Sequence, residues 1–182
     1  MSTLQIALYA IIALALAISV VTDLRTRTIK NVVTLPTVLL ALMLRTAFEG
    51  WGTFGGDGLA SGLLGMAVGG LFFYLFARLG GMGMGDVKLV AAVGAAVGFP
   101  VILACLMCIG LAGGVQALVV LLWQGKLLKT FSGMGRWVLQ KARVARREED
   151  TLQRVKIPYG VAIAFGTVWG VWWYLSHPPI PS

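Results

Sequence analysis

The sequence predicts an all-α fold: a polytopic membrane protein of six transmembrane helices with both termini on the non-cytoplasmic side. Three observations lead there. Of the 182 residues, 58% are hydrophobic and only 12% charged, with a mean hydropathy of +0.87, whereas a soluble domain carries about a quarter charged residues. The apolar residues fall into runs near the roughly 20 helical residues needed to cross about 30 Å of hydrocarbon. The basic residues crowd into three of the polar intervals between those runs. The 24 glycines fit the same picture, because small residues let helix backbones approach closely in lipid.

The first apolar run, 4–22, reads as a retained span. Met1-Ser2-Thr3 is no basic leader region, and the run ends at Thr22-Asp23 without a small-residue cleavage site. A polar stretch over 23–31 contains Arg25, Arg27 and Lys30. The second span covers 32–48, with Pro36 in its first turns, where a missing N–H costs little. A glycine-rich turn holding Glu49 and Asp57 leads to the third span, 58–77. The segment 78–88 follows, with glycines at 80, 81, 83 and 85, each costing about 1 kcal/mol in a helix relative to alanine. Residues 89–123 carry no charge, and Gly98-Phe99-Pro100 divides them. That division predicts a short fourth helix over 87–98 and a full fifth over 101–123. Residues 124–156 form a polar loop with nine basic and three acidic residues. The last span is 157–175, stopped by His177 and the prolines after it. The whole chain, 1–182, reads as a single membrane-embedded domain.

Charge sets the orientation. With six spans, the segments 23–31, 78–88 and 124–156 share one side and hold fourteen of the fifteen basic residues. By the positive-inside rule that side is the cytoplasm. Only Arg45 lies near the opposite face. The same rule requires two crossings between Asp86 and Gln124. The basic loop is accounted for by topology and by attraction to anionic lipid, about 1 kcal/mol per basic residue near the surface. The partner implied by composition is the lipid bilayer, and no nucleic-acid partner is expected. Cys105 and Cys108 sit in an apolar run with His177 far off, so they read as small helix-packing residues and not as zinc ligands. No metal or cofactor is expected.

The candidate chemistry rests on Asp23 and Asp86, each at the cytoplasmic edge of an apolar span. Carboxylates beside hydrocarbon are costly to ionise, and they pair, shift their pKa or serve a function. If the first and fourth helices pack together, the two carboxyls meet at one depth and share a proton. One then acts as base on a water while the other polarises a peptide carbonyl. The glycines beside Asp86 leave room for an extended substrate backbone, which makes Gly83 and Gly85, with Lys88, the candidate substrate contacts. Plainer readings are open at this point. Asp23 could pair with Arg25 or Arg27, Asp86 could be the N-cap of the fourth helix, and Asp57 could be solvated or cap the third.

At these residues the sequence resembles the prepilin peptidases, in the short form that accompanies Tad-type (Flp) pilus systems. Gly83-Met84-Gly85-Asp86 fits the family's Gly-x-Gly-Asp motif. Asp23-Leu24-Arg25-Thr26-Arg27-Thr28-Ile29 with Asn31 resembles the segment carrying the other catalytic aspartate, although Lys30 stands where that family has proline. Ile157-Pro158-Tyr159-Gly160-Val161-Ala162 resembles the opening of its last helix. The resemblance implies an aspartic endopeptidase of the bacterial inner membrane with Asp23 and Asp86 catalytic. It would remove the basic leader of prepilins and pseudopilins after a glycine, at the cytoplasmic face. The cysteine-rich domain of the larger enzymes is absent from the sequence, and no methyltransferase activity is expected. A Tad pilus assembly protein is a further candidate partner, at the basic loop. Two other classes compete. A transporter would place polar groups at mid-bilayer, where this chain has almost none. A non-enzymatic assembly factor would keep the fold without the chemistry.

Overall fold

The computed structural model describes residues 2–26, 31–78, 82–123 and 159–177. These form six helices and no strand: α1 (Thr3–Thr26), α2 (Asn31–Glu49), α3 (Leu59–Arg78), α4 (Met84–Val97), α5 (Val101–Trp123) and α6 (Tyr159–Ser176). Four of them, α1, α2, α3 and α5, are long and apolar enough to cross a membrane. The basic loop 124–156 lies outside the described residues. Helices α1–α4, α5 as far as Gly113, and α6 belong to one compact unit; the continuation of α5 from Gly114 belongs to a second.

Helical periodicity decides which side chains face inward. In α1 the buried residues are Leu4, Leu8, Ile12, Ala15, Leu16, Ser19 and Asp23, a single stripe at three- and four-residue spacing. In α2 the stripe is Thr34, Thr37, Ala41 and Arg45. Large apolar residues off the inward faces, among them Leu14, Leu35 and Met43, and on other helices Leu71 and Trp172, are exposed, as expected where lipid replaces water around the bundle.

Helix α4 sits at the centre, in contact with α1, α2, α3 and α6. Ten of its fourteen residues are buried, which explains how so short a helix is accommodated: other helices cover it on nearly every side. Its tightest neighbour is α3, which presents Ser61, Gly62, Gly65 and Gly69 as a small-residue face. Gly65 and Gly94 meet backbone to backbone, and a Cβ on either would overlap the other's carbonyl oxygen. Gly94→Ala is therefore expected to cost about 1–3 kcal/mol or more, read as a lower melting temperature in detergent. A second close seam joins α6 to α5, where Gly166 rests on the backbone of Ile109 and Gly170 on that of Cys105. Cys105 and Cys108 are buried and free, in keeping with a packing role.

The far end of α4 is held by a residue whose role the sequence did not reveal. Arg45, 1% exposed, donates from Nε to the carbonyl of Ala95 at 3.0 Å and from Nη2 to that of Ala96 at 2.9 Å. Its Nη1 donates to the carbonyls of Asp57 at 2.7 Å and Gly58 at 3.4 Å. The last carbonyls of a helix have no partner of their own and carry its negative dipole end, so a guanidinium fork suits them. Ser61 completes the lock by exchanging hydrogen bonds with Phe99, through the Phe99 N–H and carbonyl at 3.1 and 2.9 Å. Asp57, read as solvated or as a cap, instead accepts from Gln5 Nε2 at 3.0 Å, while α3 begins only at Leu59.

Candidate active site

Asp23 lies in the last full turn of α1 and is 6% exposed. It is inward because it continues the stripe of Leu16 and Ser19. The neighbouring Arg25 is two positions on and exposed, and residues at that spacing do not share a helix face. Among the described residues Asp23 makes no ion pair; Arg27, the other partner considered, lies outside them. One turn before Asp23, the hydroxyl of Ser19 is buried with no hydrogen-bond partner.

Asp86 is 9% exposed and stands in the first turn of α4, three residues further into helix than the spacing of glycines predicts. The cause is a side-chain cap made from within the helix: Gly83 is the N-cap, and the Asp86 carboxylate returns to accept from the Gly83 N–H at 3.2 Å. A carboxylate at the third helical position satisfies an otherwise unpaired donor and favours the positive end of the dipole. That offsets the cost of Gly85 inside the first turn. Asp86 is thus not the N-cap itself, although it caps the helix from within.

Helices α1 and α4 are in contact, and they bring the two carboxylates within electrostatic reach of each other. Asp86 precedes the charge-free run that starts at Leu89. Burial pushes its carboxyl up from the ordinary range, the charge of Asp23 adds to that, and the Gly83 N–H opposes it. The third helix of the site is α6. The N–H of Gly160, near its start, donates to Asp23 Oδ2 at 2.9 Å. The expected substrate contacts surround the start of α4: Gly83 is exposed and Gly85 partly so. Lys88 is also exposed, and its Nζ donates to Asn31 Oδ1 at 3.0 Å, tying α4 to the first residue of α2. Asn31 and Gly160 both lie in the segments quoted for the resemblance. Neither could be given a task from sequence, since their partners are 57 and 137 positions away.

What fold and site define is a multi-pass helical membrane protein with a buried carboxylate pair where α1 and α4 meet beside the start of α6. The model of the type IV leader peptidase family matches residues 10–135. That stretch is well over half of the chain and contains both aspartates, and the chain belongs to this family. No curated protein and no solved structure matches it. Membership makes the protein a peptidase of the prepilin-processing type.

Proposed function

We propose that the protein is an aspartic endopeptidase that removes the leader of Flp/Tad-type prepilins and pseudopilins at the cytoplasmic face of the bacterial inner membrane. In this reading all six helices cross the bilayer, with both termini outside. Asp23 and Asp86 activate the water. The observation that carries the proposal is that these carboxylates, 63 positions apart, are both buried on α1 and α4, two helices that pack together.

The chemistry follows from two carboxyls sharing one proton. The ionised member removes a proton from water as the oxygen attacks the scissile carbonyl carbon. The protonated member donates to the carbonyl oxygen as it gains charge. Collapse of the tetrahedral adduct breaks the C–N bond: the proton taken from water passes to the leaving amine, and a hydroxyl proton of the adduct returns to the other carboxylate, restoring the singly protonated pair. Titration belongs to the pair and not to either residue. Gly83 and Gly85 let an extended leader junction lie against the pair, and Lys88 flanks it.

Two measurements test this. Co-expression of a Flp-type prepilin with the wild-type protein is expected to yield a shortened pilin whose new N-terminus, by mass, follows a glycine. Several prepilins left intact would replace the peptidase with an assembly role. The pH–rate profile is expected to be bell-shaped. Activity falls in acid as the pair takes up a second proton, and falls in alkali as it loses the shared one. Because the Asp86 shift is upward, the alkaline limb lies above the ordinary carboxylate range. An alkaline limb within that ordinary range would contradict the shared proton.

A further inference from the structure

We propose that Gly160 is a positioning residue: its backbone N–H and its missing side chain together seat the Asp23 carboxylate opposite Asp86. The inference rests on the reading of Asp23 as catalytic, and deepens it by naming what aims that carboxylate.

Two observations carry it. The Gly160 N–H belongs to the first turn of α6, where backbone donors have no acceptor within their own helix. It donates instead to Asp23 Oδ2 at 2.9 Å, a buried hydrogen bond between helices. An aspartate on the last turn of α1 has two free side-chain torsions, and this bond restrains both. The second observation is steric. A Cβ on Gly160 would lie 2.8 Å from Asp23 Oδ2, 3.1 Å from its Cβ and 3.3 Å from its Cγ. Any side chain here must drive Asp23 away or push α6 outward, and both displace the carboxylate from the Asp86 side. The other glycines of α6 differ in what they touch: Gly166 and Gly170 rest on the α5 backbone, away from either aspartate. So one helix uses glycine for two purposes, close packing lower down and carboxylate seating at its start.

The test uses the purified full-length protein and a prepilin substrate. Gly160→Ala is expected to lower kcat by about 100-fold, the scale of a 1 Å misplacement of a catalytic group, with KM within about threefold. Gly166→Ala serves as the comparison: its overlap with Ile109 should appear as lost thermal stability, without that kcat-specific loss in the protein that remains folded. A second measurement does not depend on Gly160→Ala folding. In Asp23→Ala, hydrogen exchange at the Gly160 amide is expected to speed up by about tenfold to a hundredfold, the worth of one hydrogen bond to a charged group. Full activity in Gly160→Ala, or unchanged exchange at the Gly160 amide in Asp23→Ala, overturns the proposal. Cleavage that survives Asp23→Ala overturns the catalytic reading instead, whatever the exchange data show.

Discussion

Replacing Asp23 or Asp86 with asparagine is expected to abolish leader removal, with kcat/KM down by about 10⁴-fold or more, since a positioned general acid or base contributes about 10²–10⁴-fold and the pair works as a unit. Asparagine is the sharper choice over alanine. Its side-chain oxygen can still accept from Gly160 in place of Asp23, or from Gly83 in place of Asp86, so each variant keeps its local contacts. Groups that act together are not additive, so the double variant should be no worse than either single one. Asp→Glu at either site keeps the charge but moves the carboxylate by about one bond, and a loss of about 100-fold is expected. The assay is prepilin cleavage by purified protein at matched membrane levels. Near-normal turnover in either asparagine variant would remove that residue from the mechanism.

The second large effect lies at the opposite end of α4. Arg45→Ala is expected to prevent stable accumulation of the protein. It would strip donors from the carbonyls of Ala95, Ala96 and Asp57, and each buried acceptor left alone costs about 1–3 kcal/mol. The sum is comparable to the about 5–15 kcal/mol by which proteins are stable at all. Arg45→Lys tests geometry separately from charge. An ammonium is a point donor and cannot reproduce a planar fork spanning two helix-end carbonyls and a turn. Intermediate levels are therefore expected, with a lowered melting temperature in detergent. Wild-type melting behaviour in Arg45→Ala would mean that the fork contributes nothing to stability.

These two ends of one short helix show what the sequence disclosed and what it withheld. The long elements were legible, since runs of apolar residues mark 4–22, 32–48, 58–77 and 101–123, and the helices keep these bounds to within one residue except at the end of α1, which runs on to Thr26. The start of α4 was not, because glycine propensity argued against a helix that the bond from the Gly83 N–H to Asp86 secures. Arg45 was read as a marker of orientation, being a lone charge at the end of an apolar run. The spacing of Thr34, Thr37, Ala41 and Arg45 contained the signal for its inward face, but its acceptors are 50 and 51 positions away. Of the site, the aspartates were legible as polar groups at one depth. Their common neighbour Gly160 was visible only as part of a resemblance, because a backbone N–H has no signature in sequence. Lys88, a candidate substrate contact by sequence, is seen to bond Asn31 and so to join two helices of the protein itself.

The seat of Asp23 on α6 has a consequence for biosynthesis. The ribosome delivers α1 and α4 early, and α6 only after the long polar stretch that follows α5. A nascent chain thus carries both aspartates in the membrane well before the amide that holds one of them has been made. On the proposed mechanism, full hydrolytic competence should then arrive late, with insertion of α6. Timing, in such a protein, is written into the order of its helices.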